Sequence, residues 1–240
     1  MNEKLFRFKK FDILHSNGVM KVNTDGVLLG AWSDVRHSTN GLDIGTGTGI
    51  ISLMLAQRNP VLNVTGVEIE HSAYMMTCYN FKNSPFTARL KAVQSAIQDY
   101  AMSSSCTYDI IVSNPPYFTG GIVSKNENKS YNRHTLLLSH KELILAVRKL
   151  LSTDGHFDVI MPYEEGYAFI ELAHKSDLWL KRMTEVRSRE KSKIERILLR
   201  FSPLSTNDFS KDELIIYNGM GPKDYTPEYE SLTKDFYIFL

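Results

Sequence analysis

The chain has 240 residues, 42% of them hydrophobic and 23% charged, with a net charge of only +1. That balance excludes a disordered or fibrous chain, and the length sustains a core without staples, as one large α/β domain or two small ones. Cys78 and Cys106 have no CxxC spacing and no histidine partner pattern, so they read as reduced thiols of a cytosolic protein, not as a disulfide or a metal set.

From the N-terminus, "MNEKLFRFKK" carries charge but no apolar stretch, so no signal peptide is expected. In "MKVNTDGVLLGAW" (Met20 to Trp32), Thr24 reads as a helix N-cap and Asp25 as a first-turn acid. "GLDIG" (41–45) is the first apolar strand, and helical spacing follows over 48–58. The longest apolar run, "IISLMLA" (50–56), lies in that helix and is too short to span a membrane. Strands are expected at "NVTGVEIE" (63–70), "RLKAVQS" (89–95), "YDIIVSN" (108–114) and "GHFDVIM" (155–161), with helices over 71–83 and 139–151. Apolar strands alternating with helices mean a parallel sheet covered on both faces. "LWLKRMTEVRS" and "ERILLRFS" then follow each other with no helix between, which predicts an antiparallel pair closing the sheet. No repeat or linker is visible. One domain is expected, with an extension over 1–38, a core over 39–202 and a tail over 203–240.

Charge is unevenly spread. Lys181 to Arg200 holds eight Lys/Arg against three Glu, and Pro203 to Leu240 holds three Lys against seven Asp/Glu. Such asymmetry permits an anionic partner on one face, or equally a solvated strand edge.

The first strand ends in "LDIGTGTGI" (Leu42 to Ile50). Gly45, Gly47 and Gly49 allow a sharp turn and close backbone approach to a ligand at a helix N-terminus. Dinucleotide binding would place Gly or Ala at position 50, where Ile50 stands. With Asp43 ahead of it, the loop resembles motif I of class I S-adenosylmethionine-dependent methyltransferases. The resemblance implies that Asp43 lies beneath the amino acid part of the cofactor and that Gly45, Thr46, Gly47 and Gly49 face it. An acid at the end of "GVEIE" can accept both ribose hydroxyls. The family register gives that role to Glu68, with Ile69 beside the adenine and Glu70 as a helix N-terminal charge. Where the family often has a further acid, Ala96 stands. Adenine is then read by backbone near Ala96 and Ile97, with Asp99 as the alternative.

Asn114-Pro115-Pro116-Tyr117 follows the fourth strand, at the edge where open α/β sheets bind ligands. The prolines fix φ and remove two donors. The Asn114 side-chain carbonyl and a main-chain carbonyl offer two acceptors, which suit the two N–H donors of an exocyclic amine, and Tyr117 can stack on a planar ring. The bland reading is a tight turn. The motif resembles that of methyltransferases acting on amino groups of adenine, guanine and protein glutamine, and it requires no metal.

Residues 6–32 resemble the N-terminal segment of bacterial tRNA1(Val) (adenine-37-N6)-methyltransferases, with Met20, Lys21, Val22, Thr24, Asp25, Gly26 and Leu28 to Trp32 matching and His15 in place of Gln. "YNRHTLLLSH" (131–140) and "YTPEYESLTKDFYIF" (225–239) resemble later segments of the same family, with Asn132 in place of Ala. The resemblance implies a doubly wound, mostly parallel seven-stranded sheet with an antiparallel strand near the C-terminus. It also implies S-adenosylmethionine as cofactor and N6-methylation of adenosine 37 in valine tRNA. Lys21 and Thr24 become candidate cofactor contacts. Arg133 and His134 become candidate RNA contacts, and Lys9, Lys10, Arg187, Arg189, Lys191 and Lys193 candidate phosphate contacts. The expected partner is tRNA, with no membrane, no metal and a monomeric protein. A release-factor glutamine methyltransferase, a guanine-N2 rRNA methyltransferase and an inert RNA-binding relic are the alternatives.

Overall fold

The structure, a computed structural model, describes residues 4–15, 22–116, 138–205, 208–219, 221 and 223–240. A hairpin of β1 (Lys4–Arg7) and β2 (Asp12–His15) precedes α1 (Thr24–Trp32). Then come β3 (Asn40–Ile44), α2 (Ile50–Arg58), β4 (Asn63–Glu68), α3 (His71–Lys82), β5 (Leu90–Gln94), α4 (Ile97–Ser103) and β6 (Tyr108–Ser113). The second half holds α5 (His140–Leu150), β7 (Leu151–Pro162), α6 (Tyr163–His174), β8 (Trp179–Arg187), β9 (Ile194–Ser202), β10 (Ser210–Ile215) and α7 (Pro227–Thr233).

The large sheet has the order β10-β8-β9-β7-β6-β3-β4-β5. β9 alone runs against the rest, pairing antiparallel with both β7 and β8. The mostly parallel α/β class and the late antiparallel pair are as expected, but the sheet has eight strands, not seven. The added strand is β10, "SKDELI", which lies in the polar segment read as a tail. Four of its six residues are exposed, so it carries no apolar periodicity. Its charges explain its place. Asp212 takes Arg182 at 3.0 Å, Lys211 takes Glu185 at 2.7 Å, and Glu213 takes Arg187. The basic and acidic halves of the C-terminal region thus meet each other across β8 and β10.

Two apolar layers sandwich the sheet. One joins α1, α2 and the two chain ends around Leu28, Leu53, Met54, Ile110, Val112 and Leu198. The other joins α4, α5 and α6 around Ile111, Val147, Phe157, Phe169 and Phe201. α1 is buried on every side from Gly26 to Trp32, and a Cβ at Gly30 would come within 2.8 Å of Met54 Sδ. The glycine inside "GVLLGAW" therefore answers to close helix packing, at the usual cost in helix propensity. The N-cap of α1 is Asn23, not Thr24: Asn23 is extended and its Oδ1 accepts from the Gly26 N–H at 2.8 Å. A cap is a non-helical residue whose side chain accepts from the second or third helical amide; Asn23 does this at Gly26, so Thr24 becomes the first helical residue. Asp25 ion-pairs with Arg196 of β9 at 2.9 Å.

The chain ends pack together. Phe8 bridges Tyr237, the Lys9 N–H donates to the Phe236 carbonyl at 2.8 Å, and the Phe8 and Tyr237 rings stack at 5.9 Å.

Candidate active site

The strand order reverses at β3. From there the chain winds outward through β4 and β5, then returns to build β6 on the other side of β3. Side chains at the carboxyl ends of β3 and β6 therefore flank the crevice that forms at such a switch point. Ile44 pairs with Ser113 across that seam, and Ser113 Oγ donates to the Ile44 carbonyl at 3.0 Å. The next residues are Gly45 on one strand and Asn114 on the other. The glycine turn and the proline corner, 69 positions apart in sequence, are neighbours.

Gly45, Gly47 and Gly49 all have positive φ, at 70°, 60° and 82°. Gly49 is doubly constrained, since a Cβ there would lie 2.6 Å from Phe81. Asp43 sits under this turn, wholly buried. Its Oδ2 accepts from Ser52 Oγ and Thr46 Oγ1, each at 2.7 Å, and from the Ser52 N–H at 3.2 Å. Its Oδ1 is buried and has no hydrogen-bond partner among the described residues. Burial pushes the Asp43 carboxyl up to about 6, against the pull of its three donors. A buried acceptor left open in this way suits a cationic donor placed above it.

Glu68 ends β4 with its carboxylate in the crevice, also raised by burial. Oε2 accepts from the Gly47 N–H at 3.0 Å and Oε1 from the Glu70 N–H at 2.9 Å. The carboxylate is thereby held in place and keeps lone-pair capacity for a hydroxyl-bearing ligand. Glu70 caps α3, accepting from the Ala73 N–H at 2.7 Å. Ile44, Val67, Ile69, Ala96, Ile97 and Leu138 form the apolar walls beside Glu68. Asp99 is exposed on the first turn of α4 and does not line the crevice.

Ser95, Gln98 and Leu138 line it without having been expected. Gln98 gives no signal in sequence on a short helix, and Leu138, just ahead of α5, is some 40 positions along the chain from the nearest other wall residue. Ser52 was missed as well, because a small polar residue in an apolar helix reads as packing. Asn114 is half-buried, Pro115 buried and Pro116 exposed. Tyr117, Lys21, Arg133 and His134 lie outside the described residues.

The basic candidates divide. Arg187 is taken by Glu213 and also donates to the Ser192 carbonyl at 2.6 Å. Arg189 donates to the Gly219 carbonyl at 3.0 Å and lies over the Tyr217 ring at 5.2 Å. Lys191 and Lys193, in the turn between β8 and β9, are exposed. That turn stands at the same sheet edge as Asn114, because Pro162 at the carboxyl end of β7 pairs with Arg196. Lys9 Nζ donates to the Lys234 carbonyl at 2.6 Å, and Lys10 is exposed. Among the described residues no cluster of three or more His, Cys, Asp or Glu could hold a metal ion, and no helix is long and apolar enough to cross a membrane.

In chemical terms, the crevice can take a flat ring against its apolar walls and a hydroxyl-bearing group on Glu68, beside the turn under which the Asp43 carboxylate is buried.

Residues 21–176 match the Methyltransferase small domain family. The chain is 38% identical to the tRNA1(Val) (adenine(37)-N6)-methyltransferase of Flavobacterium johnsoniae, over 98% of this chain and 99% of the relative. The enzyme of the same name from Vibrio vulnificus is also 38% identical, over 99% of this chain and 97% of the relative. Among solved structures, a predicted O-methyltransferase from Agrobacterium tumefaciens superimposes with a TM-score of 0.70 at 17% identity, covering 88% of this chain and 96% of that one. A methyltransferase from Pyrococcus furiosus gives a TM-score of 0.56 at 20% identity, over 80% and 88%. The likeness to these structures is one of fold.

Proposed function

Because the chain belongs to the tRNA1(Val) (adenine-37-N6)-methyltransferase family, we propose that it methylates the N6 amine of adenosine 37 in valine tRNA, with S-adenosylmethionine as donor. The carrying observation is the seam at which the turn over Asp43 and the Asn114-Pro115-Pro116 corner stand on adjacent strands. The residues present fit the cofactor: a buried open carboxylate oxygen for its ammonium, a fixed carboxylate for its ribose and apolar walls for its adenine. When bound, it supplies an electrophilic methyl group on a sulfonium.

The chain's own contribution is orientation. Asp43, Glu68 and the backbone of Gly45, Thr46, Gly47 and Gly49 are the cofactor contacts, with Ile69, Ala96 and Ile97 around the ring. Asn114 accepts one N–H of the substrate amine through its side-chain carbonyl, a neighbouring main-chain carbonyl accepts the other, and Pro115 and Pro116 fix the distance between them. The nitrogen lone pair is thereby aimed toward the place where a bound cofactor would present its methyl group, and the amine proton can pass to water. Tyr117 is the stacking surface for the target base. An anticodon-loop adenine is single-stranded, so moving it into a pocket is cheap. Arg133, His134, Lys191 and Lys193 are RNA contacts in this reading, with tRNA as the partner and the cytosol as location. The relatives named above favour adenine over the glutamine and guanine alternatives.

Asn114→Ala tests the reading. It keeps both prolines and removes one acceptor, so transfer of labelled methyl to unmodified valine tRNA should fall on the order of 100-fold. A normal rate in a folded, cofactor-binding variant would show that the corner is only a turn.

A further inference from the structure

Thr77 and Asn80 stand one turn apart on α3 and are 0% and 2% exposed. Buried polar groups need partners, and theirs are unusual. Thr77 Oγ1 donates to the Gly47 carbonyl at 2.7 Å. Asn80 Nδ2 donates to the Thr48 carbonyl at 2.8 Å and to the Leu14 carbonyl at 3.0 Å. Asn80 Oδ1 accepts from the Leu14 N–H at 2.9 Å. Both amide donors of Asn80 are used. Two consecutive carbonyls of the glycine turn hang from α3, and the same amide pairs β2 as a neighbouring strand would.

The turn is otherwise held from its other side. Glu68 takes the Gly47 N–H, and Gly49 closes back on the Thr46 carbonyl at 2.8 Å. A peptide unit is planar and rigid, so fixing a carbonyl fixes the direction of the next N–H as well. With Thr77 and Asn80 in place, two peptide planes of a turn rich in glycine lose the freedom that glycine would give them. α3 supplies these groups at i and i+3 on its buried face, where apolar residues alone would have sufficed for packing.

We propose that Asn80, supported by Thr77, is a positioning residue for the cofactor. It joins the N-terminal hairpin to the glycine turn, so that cofactor binding and the order of β2 are coupled. The proposal rests on the reading of that turn as the S-adenosylmethionine cradle. Asn80 touches neither substrate nor cofactor; it acts through the Thr48 carbonyl.

The test combines calorimetric titration with S-adenosylmethionine, steady-state kinetics on valine tRNA and hydrogen exchange at the Leu14 amide. Asn80→Asp keeps the acceptor for Leu14 and loses both donors, and Thr77→Val removes one hydroxyl at constant shape. Cofactor Kd and KM should rise on the order of tenfold in Asn80→Asp and about threefold in Thr77→Val. The kcat at saturation and the tRNA KM should stay within about twofold, because orientation at Asn114 is untouched. Asn83→Ala, which loses only an exposed bond to the Tyr79 carbonyl, should match the wild type. In the wild type the cofactor should slow exchange at Leu14, and in Asn80→Asp it should not, since coupling between two sites is reciprocal. If Asn80→Asp does not fold, Thr77→Val and the wild-type exchange data decide. Unchanged cofactor affinity in folded variants, or a fall in kcat with constant KM, would overturn the positioning role alone. No heat with the wild type would overturn the cofactor reading itself.

Discussion

Asp43 is fully buried with one carboxylate oxygen open, and its pKa is raised to about 6 from the model-compound value of 3.8. A folded-state value above the unfolded one means that the native protein binds this proton more tightly. The stabilisation is complete below pH 4 and is lost as pH rises through about 6, by roughly 3 kcal/mol in all. Urea unfolding of the free protein between pH 4 and pH 7 should therefore show a component that Asp43→Asn abolishes. A cation held above the open oxygen reverses the preference. S-adenosylmethionine should bind about tenfold more weakly at pH 5 than at pH 7.5, and calorimetry at the two values measures it directly. Equal affinities would place the cofactor's ammonium elsewhere. Glu68 is a different case at the same scale: the sequence located the residue and the Glu70 N–H lies only two positions on, but the Gly47 N–H belongs to a turn that only the fold brings beside it.

Among the elements, β3, β4, β5 and β6 lie within two residues of their expected ends, because each is a short apolar run closed by glycine, proline or a helix cap. β7 starts at Leu151, four residues before the expected Gly155, since Ser152, Thr153 and Asp154 carry no apolar signal. β10 was not expected at all. Its pairing with β8 depends on Asp212 and Glu213 meeting Arg182 and Arg187, residues some 26 to 30 positions away. That pairing changes the meaning of the basic stretch: Arg187 serves the sheet, which leaves the exposed Lys191 and Lys193 as the candidates for phosphate. Reversing both to Glu should raise the tRNA KM several-fold and reduce the slope of log K against log salt by about two, with cofactor affinity unchanged. Methylation kinetics at two or three salt concentrations would expose an error here as an unaltered slope.

Across the whole molecule, α1 is tied to the far strands through Trp32. Its Nε1 donates to Thr184 Oγ1 at 2.8 Å, and the Arg182 and Arg200 guanidinium groups lie 4.6 and 5.1 Å from the ring centroid. Arg200 in turn makes a bidentate pair with Asp158, both bonds at 2.8 Å, and Asp158 is wholly buried. Arg200→Leu would strand that carboxylate. The expected loss is roughly 3–5 kcal/mol, a fall in Tm of about 10 °C. Arg36→Ala breaks the exposed pair with Asp34 and should leave Tm where it was. Calorimetric melts of the two variants side by side separate the buried pair from the surface one; equal melts would mean that Asp158 finds water or another donor.

The sequence by itself determined the parallel α/β class, the glycine turn over Asp43, the acid at Glu68 and the proline corner, because each is written in local terms: apolar runs, glycines at fixed spacing, two prolines that fix φ. It also carried the family likeness along nearly all its length. Tertiary structure decided the rest. Neither the adjacency of Gly45 and Asn114 nor the grip of Asn80 on both Leu14 and Thr48 follows from spacing, since each joins segments dozens of residues apart. The role of β10 likewise depends on charges that find partners only when the strands lie side by side. Local patterns fix which backbone conformations are cheap; which polar groups then meet depends on the order of the strands, and that order is set by the burial of both faces of one sheet.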